Sequence, residues 1–177
     1  MGKYARPSAL GALLLALTVA LPLSAATVML APATVAAPLQ AKLHDRYGAE
    51  EAAVLQSVVA EHLNRAFKAA GVSTDAAAPL HIEVSIEDAE PTHPTRHQVD
   101  LNPSLDPVSS VSRGGAHLRA LLRGADGKEV DHVDYDYYAA TIELVSPSHD
   151  AWADARIAIE RFSDQVVTAW RHHSGGG

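Results

Sequence analysis

The chain has 177 residues, with 14 Lys and Arg against 21 Asp and Glu, ten histidines and no cysteine. The missing cysteine excludes disulfides, thiolate metal sites, a thiol nucleophile and a lipid-modified cysteine. The acidic balance, with no offsetting Lys/Arg stripe, argues against nucleic acid as a partner.

Lys3 and Arg6 precede an uncharged run of thirteen residues, Ala9 to Leu21, which Pro22 breaks ahead of small residues. A positive start, a short apolar core and small residues beyond it form the pattern of a secretory leader. Two cleavage positions fit: after Ala26, behind Ser24-Ala25-Ala26, and after Ala36, behind Thr34-Val35-Ala36. The apolar run is shorter than the roughly 20 residues of a membrane span. The expectation is a periplasmic or secreted product with no stable membrane anchor after cleavage. Residues 1–36 are read as signal peptide, 37–172 as a single α+β domain and 173–177 as a flexible tail.

In the mature region, Leu39, Ala41 and Leu43 alternate weakly and suggest a short edge strand or a tail. Ala52, Leu55, Val59, Leu63, Ala66 and Ala70 then recur at steps of three and four, which predicts a helix. Glu50 and Glu51 favour its start and Gly71 its end. Leu80, Ile82, Val84 and Ile86 alternate with polar residues as a strand with one buried face. From Asp88 to Pro107 that pattern dissolves among four prolines, with a short strand conceivable at His97–Leu101.

Ala116–Arg123 and Val130–Tyr138 alternate on either side of Asp126-Gly127, which predicts a hairpin. Centring the turn there opposes Ala116 to Tyr137, Leu118 to Tyr135 and Ala120 to Val133, with Arg119 against Asp134 and His117 against Asp136 on the other face. A one-residue slip would set Leu118 against Asp134, so the pattern pins the register. A closing helix is expected from about Ser146-Pro147 or Ser148, with Trp152, Ala155, Ile159, Phe162, Val166 and Ala169 on one stripe. The expected fold is therefore α+β in the order α-β-β-β-α: a two-layer sandwich, an antiparallel sheet of three to five strands carrying two helices on one face.

Two groups of side chains could carry chemistry. His93 and His97 have an H-x-x-x-H spacing, but Pro94 lies between them and no Glu follows His93, so the helical zinc pattern fails and only a loop metal site remains open. His132, Asp134 and Asp136 share a strand face beside His117 and Arg119, a set suited to a divalent metal or to acid/base work. Cross-strand charge pairing explains the same residues without a site.

The run from Ser112 to Arg171, with S-R-G-G-A-x-L-x-A-x-L, then A-D-G-K, a Tyr-rich strand and W-A-D-A before the last helix, resembles small uncharacterised bacterial envelope proteins. In element order it is similar to the auxiliary lipoproteins of envelope ABC transporters. The resemblance implies an α+β domain that binds partners rather than one that catalyses, and it carries over no functional residue. Lacking the lipidated cysteine, this chain departs from the lipoprotein pattern. The functional expectation is an exported, non-enzymatic accessory module for an envelope protein or small ligand, without a cofactor. The competing expectation is a metal-dependent site or hydrolase on the hairpin face.

Overall fold

A computed structural model describes residues 26–141 and 150–174. Residues 1–25 of the expected leader and the expected start of the last helix at Ser146–Ser148 lie outside the described residues.

The described chain forms β1 (Thr27–Leu30), β2 (Thr34–Val35), α1 (Ala37–Lys42), a π-helical turn (Leu43–Tyr47), α2 (Glu51–Ala69) and β3 (Ser73–Thr74). It continues as β4 (His81–Glu90), α3 (Arg96–Leu101), β5 (Gly115–Arg123), β6 (Glu129–Tyr138) and α4 (Ala153–Ser174). The sheet has six strands in the order β3-β1-β4-β5-β6, with β2 also on β4. It is mixed, which corrects the expected antiparallel sheet. Only β4-β5-β6 is antiparallel, whereas β1 runs parallel to β3 and β4, and β2 parallel to β4. A parallel neighbour needs a crossover connection, and α1, the π turn and α2 supply it. The element order α-β-β-β-α is thereby corrected to one with two strands ahead of the first helix.

Leu39, Leu43 and Tyr47 are buried and four residues apart, so this segment is helical rather than an edge strand. Ala41, which the alternating reading needed inside, is exposed. His97–Leu101 is likewise helix, not strand, because Thr95 caps it.

The hairpin takes the register its pattern demands, Ala116 opposite Tyr137 and Leu118 opposite Tyr135. Ala116, Leu118, Ala120 and Leu122 point into the core together with Ile82, Val84 and Ile86. Over them lies α4, against β5 and β6, with α2 packed beside it. Ala155, Ile159, Phe162, Val166 and Trp170 fill the interface, and Trp170 meets Phe67 edge-on at 5.8 Å.

One residue redirects the end of β4. Ile86 opposes Leu118 and Asp88 opposes His117, so Glu87 is an extra residue in the ladder. A bulge of one residue reverses which face each later side chain takes. Without it Asp88 and Glu90 would point into the core; with it Ala89 is buried and both carboxylates face outward. Gly115 opposes Glu90 and Tyr138, and a Cβ there would lie 2.2 Å from the Tyr137 carbonyl oxygen and 2.6 Å from the Tyr138 ring. Tyr138 crosses that bare position to donate to Asp88 Oδ2 at 2.9 Å.

Because β1 is an inner strand, its loss should be costly. Val28 is fully buried, and Met29 N and Ala31 N donate to the Leu80 and Ile82 carbonyls at 3.0 and 2.9 Å. A chain beginning at Thr27 should unfold cooperatively in a circular-dichroism melt. One beginning at Ala37 should melt at least about 15 °C lower or show no transition. Equal midpoints would contradict the placement of β1.

Candidate functional site

Beyond β4 the chain runs from Glu90 to Gly114 with little regular structure, yet specific hydrogen bonds fix it. Thr95 and Gln98 form a reciprocal capping box, in which Gln98 N donates to Thr95 Oγ1 at 3.3 Å and Thr95 N to Gln98 Oε1 at 3.0 Å. The Thr95 hydroxyl in turn donates to the Tyr47 carbonyl at 2.6 Å in a buried setting. Ser112 closes the other end, its hydroxyl donating to the Pro91 carbonyl at 2.6 Å and its amide to the Thr92 carbonyl at 2.8 Å. Between them, the Asp106 carboxylate accepts the backbone amides of Ser109 and Val108 at 2.7 and 2.8 Å, which hold it below the usual carboxylate range.

The fixed segment walls a cleft of about 320 Å³ against the π turn, lined among others by Arg46, Tyr47, Glu90, His93, Leu105 and Val111. Beneath it runs a network of charged and phenolic groups. Lys42 Nζ lies 2.7 Å from Asp88 Oδ1 and 2.6 Å from Glu90 Oε1. The Tyr47 hydroxyl donates to Glu90, and that of Tyr138 to Asp88. Burial alone would lower the Lys42 pKa; hydrogen bonds to Asp88 and Glu90 outweigh it and hold the ammonium above its ordinary range. Burial pushes both phenols up, and the hydrogen bonds to Glu90 and Asp88 push them further. Since Tyr47 is almost wholly buried and meets Trp152 edge-on at 6.0 Å, the cleft has a rigid floor.

The residues singled out from the sequence fall in separate places. His93 is buried in the cleft wall, whereas His97 is half-buried on α3 and does not line the cleft. His117, Arg119, His132, Asp134 and Asp136 all stand on the sheet face turned away from α4. There His117 Nε2 approaches Asp134 Oδ1 at 3.0 Å, a diagonal pair rather than the opposed His117–Asp136 pair. His132 sits 3.3 Å from Glu129. Among the described residues no three His, Asp or Glu side chains converge as metal ligands.

Other hollows lie elsewhere. One of about 540 Å³ spreads over the open face beside Pro32, Thr34, Glu83 and Arg119, and one of about 410 Å³ lies between the edge of β6 and α4 at Asp131, Gln165 and His172. Asp131 there is held below the usual carboxylate range by the His132 backbone amide, with His173 at 3.0 Å adding to it. The cleft differs from both in being walled by the long irregular segment after β4. Reasoning from sequence missed Lys42, Arg46, Tyr47 and Glu90. The four-residue spacing of Leu39, Leu43 and Tyr47 was the signal available, since it also sets Lys42 and Arg46 together on the flank of the same helical face.

No protein-family model matches the chain, and no curated protein does either. Solved structures align with it. Protein XCC0632 from Xanthomonas campestris, of the family DUF330, aligns over 89% of both chains at 13% identity with a TM-score of 0.51. A PelC dodecamer from Paraburkholderia phytofirmans aligns over 81% of this chain and 84% of its own, at 11% identity and a TM-score of 0.42. Lipoprotein GNA1162 from Neisseria meningitidis aligns over 86% and 99%, at 8% identity and a TM-score of 0.33. The first of these places the chain in an α+β class with a mixed open sheet packed against helices. Among the described residues no helix is long and apolar enough to cross a membrane.

The network under the cleft makes a pH prediction. Lys42, Tyr47 and Tyr138 all have folded pKa values above their ordinary 10.5, 10.0 and 10.0. Each protonated form is therefore favoured by folding, so its contribution is complete below about pH 10 and is lost as pH rises beyond it. The melting temperature should be flat from about pH 7 to 9.5 and fall above 10, and Tyr138→Phe should make that fall shallower. An identical alkaline profile for the variant would show that Tyr138 is not in the network.

Proposed function

We propose that this protein is an exported, non-enzymatic binding module of the bacterial envelope, and that it binds through the cleft between the π turn and the 90–112 segment. The observation that carries this reading is the pinning of the segment. Thr92, Thr95 and Ser112 spend their hydroxyls on fixing backbone or a helix start, so a long irregular stretch is held in one shape around a hollow. Pre-formed concave sites with few polar groups suit small ligands, and pre-organisation lowers the ordering cost of binding. The open sheet face is assigned to cross-strand charge pairing, because its His117–Asp134 and Arg123–Glu83 contacts satisfy opposed charges between neighbouring strands.

Export is part of the same reading, with cleavage after Ala26. That cut releases a chain starting at Thr27, the first residue of β1, whereas a cut after Ala36 would remove β1 and β2 altogether. Amino-terminal sequencing of the exported protein should begin at Thr27; a start at Ala37 would contradict it.

The cleft is tested by two-dimensional amide NMR against a library of small organic fragments. Shift changes should gather in residues 90–98 and 105–112 and disappear in Val111→Trp, whose indole fills the hollow. Changes centred instead on His117, His132 and Asp134 would overturn the cleft in favour of the hairpin face.

A further inference from the structure

We infer that the cleft takes a carboxylate, held by Arg46, whose apolar body lies against Pro91, Pro94, Leu105 and Val111. This rests on the binding-module reading above and adds the chemistry of the ligand.

The inference comes from the charges around the cleft. Glu90, the acid in its wall, is engaged on both oxygens, one by Lys42 at 2.6 Å and the other by the Tyr47 hydroxyl. Asp88 is engaged by the same lysine and by Tyr138. Nearby, Asp45 is 2.9 Å from His44, and Arg96 stands 3.9 Å from Asp100. Arg46 is different. It lines the cleft and makes no hydrogen bond or ion pair to any described residue; its contact is with the Tyr47 ring, 5.2 Å from the guanidinium carbon to the ring centroid.

That contact orients the guanidinium without using its hydrogen-bonding edge. A guanidinium presents parallel N–H donors that match the two oxygens of a carboxylate, and its planar fork loses little freedom when it binds. Its support is held in place, since the Tyr47 hydroxyl donates to Glu90 and its ring packs perpendicular to that of Trp152. The engaged acids below offer no free carboxylate to compete for Arg46. Two prolines, Leu105 and Val111 add apolar surface beside the polar Gln98, Ser110 and Ser112, so the hollow pairs one unengaged guanidinium with a mixed lining that can hold a short apolar body. A volume of about 320 Å³ stands at the small end of ligand sites. A free organic acid and the carboxyl end of a short peptide both fit this chemistry.

Calorimetry separates the possibilities. The probes are octanoate and 1-octanol, and N-acetyl-trialanine as its free acid and as its amide. The acid of at least one pair should bind at least ten-fold tighter than its neutral counterpart. Arg46→Gln should erase that difference and leave the neutral affinity unchanged, while Val111→Trp should weaken both members. Whichever acid binds more tightly identifies the source of the carboxylate. Equal binding of acid and neutral compound in the native protein, or a preference that survives Arg46→Gln, would overturn the inference. Octanol that still binds natively and is lost in Val111→Trp would then leave the cleft standing as a site for uncharged ligands. Failure of all four probes to bind overturns the carboxylate, and the fragment mapping then decides the fate of the cleft separately.

Discussion

The Asp154 carboxylate lies where three stretches distant in sequence have to meet. Its Oδ2 accepts the Thr92 hydroxyl at 3.0 Å and the Gly114 amide at 3.1 Å, while its own amide donates to the Thr92 oxygen at 2.9 Å. Position adds to these bonds, since a carboxylate in the first turn of a helix is favoured by the macrodipole and charged acceptors bind amides more strongly than neutral ones. Gly114 has no alternative side chain available, as a Cβ there would fall 2.4 Å from Thr92 Oγ1. Three residues before Asp154, the Ala151 carbonyl accepts the Thr92 amide at 2.7 Å. Two residues before Asp154, Trp152 donates its indole N–H to Glu51 at 2.6 Å and presents its ring to Tyr47. The beginning of α4 thus binds the end of β4, the beginning of β5 and the beginning of α2 at one junction.

The cleft follows from that junction. Thr92 and Ser112 sit at the two ends of the irregular segment, and fixing both ends turns a loop into a wall. The Lys42 network secures the facing wall by tying α1 and the π turn to β4 and β6. Side chains that might otherwise be read as reactive are used in this construction: Thr92, Thr95 and Ser112 donate to carbonyls or a carboxylate, and Tyr47 and Tyr138 remain protonated well above neutral pH. An arrangement of that kind stabilises a shape rather than a developing charge, and the proposed binding role rests on that difference.

Much of the architecture was legible in the sequence wherever one face of an element is buried and the other is wet. The hairpin register followed from Leu118, Ala120, Val133 and Tyr135, because a slip would bury Asp134. The two long helices followed from their apolar stripes. The parallel half of the sheet was not legible: Thr27–Val35 lies in an uncharged stretch continuous with the expected leader, and an inner parallel strand lacks the alternation that marks a half-exposed one. Asp88 and Glu90 ended the strand pattern because a single bulge at Glu87 shifts parity, and no residue type announces it. The cleft was hidden for another reason. Its key cation, Arg46, acts through neighbours brought together only by the crossover, whereas the histidines and aspartates that draw attention in the sequence lie spread across an open sheet face.

Amide hydrogen exchange at Thr92, Ser112 and Gly114 tests the junction most directly. In the native protein these three amides should exchange slowly, in step with those of β5, and Asp154→Ala should speed them selectively while the core of β4 and β5 stays protected. Rapid exchange at all three in the native protein, or no change on removing the carboxylate, would contradict the idea that Asp154 holds the cleft together.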